Sequence, residues 1–414
     1  MFYSFLKVLV RFTLKIFFRK IFITGIEHIK SDTPQLIASN HPNGFLEPLL
    51  MACFFPKPLH FLVRGDVFDN PILRPMLKST HQIPIFRFRD GFSKLRENSQ
   101  KMDESIQVLL DKKNLLIFAE GGTESIKKLR PLQKGISRIA FQTMEKDPDL
   151  DLEILPVGIN FTFPAMFNEE VMLNIGNPLK VSDYLNRFNQ DNKSGHECLL
   201  NDLFLAMKKS VIHIEDQKRL KIFEKLVILL RSQKTYSYLP VYLNEGAPLV
   251  SEKNLAESID ALSDGKLLEV RAEIRVLESE MKNEKVSLED LRKIPYNFTR
   301  IIILTAGFLP ALLGAVLHLL PLGVAFYFTK TNVNQKEFKA SILMVLSMVL
   351  YVLMYIIYII TIAITAIPFF WLPICIATGL WLRFYYQIWI NTTFVSVILL
   401  DKFKNHGYQV LKSL

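Results

Sequence analysis

Hydrophobic and polar positions alternate in blocks along the first half of the chain. Between residues 21 and about 183, short apolar runs alternate with longer stretches of helical periodicity. The apolar runs predict strands at Gln35–Ser39, Leu59–Val63, Ile83–Phe86, Leu115–Ala119 and Ile154–Asn160. The stretches between them predict helices at Phe45–Phe55, Gly91–Lys112 and Gly135–Glu145. Strands and helices in this order indicate an α/β fold, a sheet covered by helices.

The N-terminal segment is apolar but carries a regular basic stripe. Lys7, Arg11, Lys15 and Arg19 recur every four residues, so on a helix they share one face opposite an aromatic and aliphatic remainder. Such a helix lies in the membrane interface rather than crossing the bilayer. A removed secretory signal is the alternative, but charges interrupt every apolar core and no small-residue cleavage site follows. We therefore expect an interfacial membrane helix over residues 1–22.

Two long stretches near the C-terminus, residues 301–329 and 340–382, have no charged side chain. A helix crosses the ~30 Å hydrocarbon layer with about 20 residues, so the second stretch is long enough for a hairpin of two crossings. Pro310 and Pro321 are expected to break or kink a helix in the first stretch, which is either one kinked span or a re-entrant pair of short helices. The basic residues flanking both stretches favour a cytoplasmic position for the flanks, and hence the re-entrant form.

The patterns divide the chain into four expected segments. An interfacial helix (1–22) precedes an α/β domain (23–200), a charged helical arm or cap (201–296) and a hydrophobic membrane region with one or more helical hairpins (297–414).

Amino-acid composition excludes fewer classes of function than the pattern of hydrophobic and polar positions does. Half of the residues are hydrophobic, and the formal net charge of +10 favours an anionic partner, either a phosphate-bearing substrate, a nucleic acid or an acidic membrane leaflet. No nucleic-acid motif with interleaved aromatic residues is present, which argues against a nucleic-acid partner. The cysteines Cys53, Cys198 and Cys375 are far apart, so neither a disulfide framework nor a CxxC metal site is expected.

The first candidate for catalysis directly follows the predicted strand Gln35–Ser39. There, His41 precedes Glu47 across a turn signal, Pro42-Asn43-Gly44, which allows the following helix to bring the carboxylate back to the imidazole. A histidine held by a carboxylate is suited to take a proton from an alcohol, because the anion fixes the tautomer and stabilises the imidazolium. A histidine in a turn is also often only structural.

The segment Asn40-His41-Pro42-Asn43 followed by an acid resembles the first block of the glycerol-phosphate and lysophosphatidate (1-acyl-sn-glycerol-3-phosphate) acyltransferase superfamily. The hallmark of that family is a histidine and an aspartate separated by four residues. Here the spacer is five residues and the acid is Glu47, which resembles a bacterial branch of the family. The resemblance implies that His41 and Glu47 are catalytic and that Asn40 and Asn43 contact substrate.

Three further segments follow in the order that the family predicts. Arg64 and the run Ile83–Gly91 resemble the second block, in which an arginine binds the acceptor phosphate; Arg87 is the first choice for this role and Arg89 the second. The run Leu116–Ser125 resembles the third block, with Ala119 in place of the usual proline and Glu124 where arginine is common. Ile154–Gly158 resembles the fourth block, an apolar strand that lines the acyl site. The substrate-binding residues that these blocks imply, beyond the arginines named, are Glu120, Gly121, Gly122, Thr123, Arg130, Lys134 and Pro156.

The resemblance covers residues 20–180 and implies a mixed sheet covered by helices, as in glycerol-phosphate acyltransferases, at a membrane surface. The implied reaction transfers a fatty acyl group from acyl-CoA or acyl carrier protein to a hydroxyl of glycerol-3-phosphate or lysophosphatidate in phospholipid synthesis, with no metal or other cofactor. The implied location is the cytoplasmic face of the inner membrane. Two alternatives stay open: an acceptor that is a non-phosphorylated hydroxylated lipid, such as an amino-acid or amine lipid, and a catalytically inactive lipid-binding membrane protein.

Overall fold

The structure is a computed structural model that describes the chain except residues 1, 72, 86–91, 164–166, 234–236 and 366–367. The chain forms two compact units. Unit 1 comprises Met1–His213 and Val241–Gly246, and unit 2 comprises Ile214–Pro240 and Ala247–Leu414.

Unit 1 is built on a mixed sheet. Its strands, in chain order, are β1 (Lys20–Thr24), β2 (Gln35–Ser39), β3 (Leu59–Arg64), β4 (Gln82–Ile85), β5 (Asn114–Phe118), β6 (Glu153–Phe161), β7 (Glu170–Ile175), β8 (Leu179–Lys180) and β9 (Tyr242–Leu243). The order across the sheet is β4-β3-β5-β2-β6-β7-β1-β9, with β8 added to β6. Strands β2 to β6 are parallel to one another, whereas β7 and β8 are antiparallel to β6. The predicted α/β class with a mixed sheet is therefore confirmed.

The helices of unit 1 cover this sheet. They are α1 (Phe2–Phe17), α2 (Leu46–Phe54), α3 (Leu73–Ser79), α4 (Phe92–Leu110), α5 (Gly135–Lys146), α6 (Ser182–Gln190) and α7 (Asn192–Ser210). Apolar residues of β2, β5, β6, α5 and α7 form one buried core, with Leu36, Leu115, Ile154 and Phe141 fully buried. Every residue of β6 is buried, as expected for a central strand covered on both faces. The helix α7 belongs to unit 1, which therefore extends past the expected domain end at residue 200.

The N-terminal helix is shorter than the expected span of 1–22. Helix α1 ends at Phe17, and Lys20–Thr24 form β1, which pairs with both β7 and β9. The alternation of Ile21 and Ile23 suits a strand, and main-chain pairing within the sheet outweighs the helical periodicity of the preceding residues. Arg19 accordingly lies outside the helix, where its guanidinium is 4.0 Å from the carboxylate of Glu170.

Unit 2 is helical. Its helices are α8 (Gln217–Ser232), α9 (Ala247–Ala261), α10 (Asp264–Asn283), α11 (Phe298–Ala306), α12 (Phe308–Asn332), α13 (Lys336–Ile364), α14 (Trp371–Ile390) and α15 (Val397–Lys412), and the short strands β10 (Ile294–Pro295) and β11 (Thr392–Thr393) pair in parallel. Helix α8 packs against α9 and α15, and α12 packs against α13 and α14.

Pro310 and Pro321 do not break a helix, in contrast to the expectation from the sequence. Helix α12 continues through Pro321, and Pro310 lies in its first turn, where a missing amide donor costs nothing. The chain is interrupted instead at Gly307, between α11 and α12. A Cβ at that position would lie 2.4 Å from the carbonyl oxygen of Ile303 and 2.6 Å from the Trp381 ring, so close packing requires glycine there.

Two helices in the described part of the chain, Phe308–Asn332 and Lys336–Ile364, are long and apolar enough to cross a membrane. Most of each helix is not covered by other parts of the protein. By length and composition they are candidates for membrane spans.

Candidate active site

The predicted site residues lie where the direction of the chain through the sheet reverses. After β2 the chain crosses to β3 on one side, and after β5 it crosses to β6 on the other side, while β2 and β5 are adjacent. Such a switch point leaves a crevice beyond the carboxyl ends of the two strands, and ligands of open α/β sheets bind there. His41 follows β2 and Glu120 follows β5, so both lie at this crevice.

The loop after β2 brings His41 and Glu47 together. Gly44 adopts a left-handed conformation with φ of 39°, and α2 begins two residues later. One oxygen of Glu47 accepts the backbone N–H of Asn43, and the other lies 3.6 Å from Nδ1 of His41. The five-residue spacer is therefore compatible with the pair, because the loop and the first turn of α2 carry Glu47 back to the ring.

The environment of this pair leaves one face of the histidine accessible. Glu47 is fully buried, and the His41 side chain is 16% exposed. Its ring stacks on Phe118 with a centroid distance of 3.8 Å. Because Nδ1 faces the carboxylate, Nε2 is the nitrogen available to a substrate. The separation of 3.6 Å is longer than a hydrogen bond, which is common for catalytic pairs without substrate.

Glu120 joins the two loops of the crevice. Its carboxylate accepts the backbone N–H of His41 at 3.1 Å, the backbone N–H of Arg130 at 2.8 Å and the guanidinium of Arg130 at 3.0 Å. Arg130 also donates to the carbonyl of Gly122 and lies 3.6 Å from the carboxylate of Glu124. The N–H of Glu124 in turn donates to the carbonyl of His41. The buried carboxylate of Glu120 thus fixes the loop that carries His41 relative to the loop that carries Arg130.

Three of the predicted substrate contacts, Asn40, Asn43 and Pro156, are partly or fully buried in unit 1. The amide of Asn40 donates to the carbonyl of Ile159 at 2.9 Å and accepts its N–H at 2.8 Å, which fixes the loop to β6. Pro156 is buried within β6 opposite Ala38. Asn43 is fully buried, and neither its side-chain oxygen nor its nitrogen has a hydrogen-bond partner among the described residues.

The remaining predicted residues lie at the same edge or outside the described part. Arg64 ends β3 and forms an exposed ion pair with Asp66, and Lys134 is exposed at the start of α5. Gly121 has φ of 70° and belongs, with Gly122 and Thr123, to the turn after β5. Arg87 and Arg89 lie in residues 86–91, outside the described residues.

One small cavity borders the histidine loop. It has a volume of about 20 Å³ and is lined by residues that include Asn40, Pro42, Leu129 and Asn160. This is room for about one water molecule, so the cavity is too small for an acyl chain.

The sequence reasoning missed Phe118, the aromatic partner of the catalytic candidate. Its position as the last residue of β5, beside Ser39 at the end of β2, is the only signal, and it depends on knowing the strand order.

A separate group of titratable residues lies at the opposite edge of the sheet. His60 and His81 are in edge-to-face contact at 4.7 Å, and Tyr3 lies 5.0 Å from His81. Burial lowers the pKa of His60 to about 4, with the nearby charges of His81 and Lys113 acting in the same direction. This group lies where β3 and β4 begin, so it is not part of the crevice.

Comparison with known proteins agrees with this geometry. Residues 20–160 match the model of the family described as Acyltransferase. The chain is 27% identical over 143 residues to glycerol-3-phosphate O-acyltransferase 1 of Saccharomyces cerevisiae, which is 33% of this chain and 18% of that protein. It is 23% identical over 142 residues to an uncharacterized acyltransferase of Schizosaccharomyces pombe, which is 34% of this chain and 20% of that protein. The match thus covers about a fifth of the length of each of these relatives.

Among solved structures, 1-acyl-sn-glycerophosphate acyltransferase PlsC from Thermotoga maritima aligns with 46% of this chain and 71% of its own, at 16% identity and a TM-score of 0.34. The family match begins at the first residue of β1 and ends within β6, and it includes both His41 and Glu120. The predicted resemblance to the acyltransferase family is confirmed for residues 20–160, whereas the bacterial branch stays a prediction.

Proposed function

We propose that this protein is a membrane-bound O-acyltransferase that moves a fatty acyl group from a thioester, of coenzyme A or of acyl carrier protein, to a hydroxyl of glycerol-3-phosphate or lysophosphatidate. The observation that carries the proposal is the pairing of His41 with the buried Glu47 at the crevice between β2 and β5. The family match of the surrounding residues supports the reaction class.

In the proposed mechanism, Nε2 of His41 accepts the proton of the acceptor hydroxyl as its oxygen attacks the thioester carbonyl. The tetrahedral intermediate collapses with loss of the thiolate, which takes the proton from the imidazolium. The carboxylate of Glu47, 3.6 Å from Nδ1, stabilises the imidazolium between these two transfers. General-base assistance of this kind contributes about 10²–10⁴ in rate.

The cations near the crevice support a phosphorylated acceptor. Arg64 and Arg130 are each paired with a carboxylate, whereas Lys134 is exposed at the N-terminal end of α5, where the helix dipole also favours an anion. We propose Lys134, with Arg87 and Arg89, for the acceptor phosphate.

The N-terminal helix supports a position at the membrane surface. Val10, Leu14 and Phe17 of α1 are buried against the protein, while Phe5 and Val8 on the outer face are 66% and 69% exposed. Two basic side chains of the stripe, Arg11 and Lys15, are exposed beside this apolar face. A helix with an outward apolar face flanked by cations binds the boundary between headgroups and acyl chains.

The test is acyl transfer by the full-length protein and its His41→Ala variant. Purified protein in detergent is supplied with a fatty acyl-CoA or a fatty acyl-acyl carrier protein as donor. Glycerol-3-phosphate, lysophosphatidate and an N-acyl amino acid that carries a hydroxyl are tested separately as acceptors. We expect transfer to a phosphorylated acceptor, with kcat lowered by about 10²–10⁴ in His41→Ala.

The control is His28→Ala, which alters a partly buried histidine whose Nδ1 lies 3.0 Å from the carbonyl oxygen of Ile175 and should keep its kcat. Thermal unfolding monitors the fold of both variants. Undiminished transfer by His41→Ala would overturn the mechanism. Preference for the N-acyl amino acid would overturn the acceptor, and no transfer from acyl-CoA or acyl carrier protein to any acceptor would overturn the enzymatic proposal.

A further inference from the structure

We propose that unit 2 carries a binding site for one anionic phospholipid of the bilayer, with an acyl chain in an aromatic groove between α11 and α14 and the phosphate at Arg300. The site is separate from the crevice of unit 1. It rests on the proposed membrane location of the chain but not on acyl transfer.

The groove is formed by the end of α14 and the short helix α11. Its volume is about 500 Å³, which lies within the range of about 300–1,000 Å³ typical of small-molecule sites. Its lining is almost entirely aromatic or aliphatic: Tyr296, Ile301, Leu304, Thr305, Phe308, Tyr385, Trp389 and Phe394.

The groove is open at an apolar surface. Phe394 is 72% exposed, and Phe308 and Trp389 are about half exposed. Tyrosine and tryptophan are enriched at the level of lipid headgroups, where one part of the ring is apolar and another is hydrated. The adjoining helix α12 is one of the two candidate spans, so an acyl chain of the surrounding bilayer has direct access to the groove.

The backbone around the groove is held in place by hydrogen bonds within unit 2. The indole N–H of Trp381 donates to the carbonyl of Gly307 at 2.9 Å, and the hydroxyl of Tyr385 donates to the carbonyl of Leu304 at 3.0 Å. Both contacts fix α11 to α14. A preformed groove lowers the entropic cost of ordering a ligand.

Arg300 supplies a cation beside the groove. Its guanidinium donates to the hydroxyl of Thr392 at 2.8 Å and to that of Tyr238 at 3.0 Å, and it lies 5.9 Å from the centroid of the Tyr238 ring. The two anchors place it next to groove-lining residues, because it precedes Ile301 and Thr392 lies two residues before Phe394.

Both hydrogen-bond partners of Arg300 are neutral. Within the part of the chain that the structure describes, no carboxylate forms an ion pair with this guanidinium, in contrast to Arg231, whose carboxylate partner Glu252 lies in the same unit. An oriented guanidinium without an anion matches a phosphate group, with which it forms charge-assisted hydrogen bonds. A cation adjoining an apolar groove therefore fits a phospholipid with net negative charge better than a neutral lipid.

The experiment measures which lipids stay bound to the full-length protein. Protein in detergent is equilibrated with equal amounts of phosphatidylglycerol and phosphatidylcholine that have the same acyl chains, and retained lipid is counted by native mass spectrometry. We expect one retained phosphatidylglycerol per chain in excess over phosphatidylcholine. Arg300→Gln should lower this preference by about fivefold, as expected for one basic residue near an anionic lipid.

Arg275→Gln is the control, because Arg275 is an exposed arginine on α10 and its loss changes the net charge equally. Equal retention of the two lipids by the unaltered protein, or the same loss of preference in Arg275→Gln, would overturn the assignment of the phosphate to Arg300. Displacement of the bound lipid by inorganic phosphate alone would show an anion site that does not use the groove, and would also overturn the proposal.

A second pair of variants tests the groove itself. Thr305→Phe places a large ring in the groove and should abolish retention of the lipid. Thr331→Phe is the control, since Thr331 is also exposed on a helix and its hydroxyl likewise binds the carbonyl four residues earlier. Retention of phosphatidylglycerol by Thr305→Phe at the unaltered level would overturn the assignment of the acyl chain.

Acyl-transfer activity, measured beside lipid retention, distinguishes the proposed lipid site from the proposed acyltransferase function. His41→Ala should lose acyl transfer and keep its bound phosphatidylglycerol. Loss of bound lipid in His41→Ala would contradict two separate sites, whereas a chain with no transferase activity and a retained lipid would refute only the proposed reaction.

Discussion

Two fully buried glutamates show how differently the two units use a carboxylate. Glu252 in unit 2 meets the guanidinium of Arg231, with a nitrogen 2.7 Å and another 2.8 Å from one of its oxygens. Glu47 in unit 1 accepts a hydrogen bond from the backbone N–H of Asn43 with one oxygen. Its other oxygen lies 3.6 Å from Nδ1 of the His41 imidazole. The first carboxylate has a permanent positive partner, while the second faces a group that becomes positive only when it takes a proton.

The different partners of Glu252 and Glu47 indicate different roles for the two carboxylates. A buried ion pair with a complete partner holds a fold together and changes little during a reaction, and removing one member leaves an uncompensated charge. A carboxylate beside a histidine gains its full interaction only when the imidazolium forms, which in general-base catalysis is the moment when it is needed. The comparison leads to three predictions, given in order of decreasing expected change in free energy.

The largest effect is expected in unit 2. Glu252→Ala leaves Arg231 buried without its partner and should lower the free energy of unfolding by about 3–5 kcal/mol, visible as a lower thermal midpoint in detergent. Glu257→Ala, on the exposed face of the same helix, should leave the midpoint nearly unchanged. A midpoint for Glu252→Ala equal to that of the unaltered protein would show that this ion pair is not structural.

The second effect is on catalysis in unit 1. Glu47→Gln keeps an oxygen for the N–H of Asn43 but removes the negative charge, so kcat should fall by about 10²-fold with little change in the thermal midpoint. Glu153→Gln is the matched control, because Glu153 is also buried in unit 1 but lies at the other end of β6, paired with Lys30. If the two variants lost activity equally, the charge of Glu47 would have no special role.

The smallest effect concerns His60, a largely buried histidine at the opposite edge of the same sheet. The pKa of His60 is lowered from 6.5 to about 4 by burial, so the unfolded chain binds more protons than the folded one between these values. Its contribution to stability is therefore complete above about pH 6.5 and is lost as the pH falls towards 4.

His60→Gln removes this titration, so its thermal midpoint should fall less between pH 7 and pH 5 than that of the unaltered protein. The other titratable groups close to His60, namely His81, Lys113 and Asp111, are unchanged in this variant, so the difference between the two proteins reports on His60. Parallel pH curves for the two proteins would contradict the lowered pKa.

The local pattern of the sequence predicted the strands that frame the crevice. The strand Gln35–Ser39 is found with the predicted bounds, the prediction for β3 differs from the structure by one residue at its end, and those for β5 and β6 differ by one residue at each end. These strands are short, apolar and parallel, so each can be read from its own residues. The resemblance of residues 40–47 to a family motif then located the histidine and its acid.

What the sequence did not predict depends on contacts between distant segments. The sequence pattern places the first residues of β1 in the predicted N-terminal helix. It cannot show their pairing, because the neighbouring strands β7 and β9 lie about 150 and 220 residues further along the chain. The stacking of His41 on Phe118 and the attachment of Asn40 to Ile159 likewise need the strand order. The location of the helix break at Gly307, rather than at a proline, follows from the close approach of Trp381.

The carboxylate of Glu120 has a consequence for how the acceptor of the proposed reaction can change. Because it anchors both the main chain at the proposed base and the loop that carries Arg130, the spacing between those parts stays constant when the exposed surface beyond them varies. Under the proposed mechanism, Lys134 and its neighbours at the start of α5 can therefore diversify to suit other headgroups while the proposed base keeps its position.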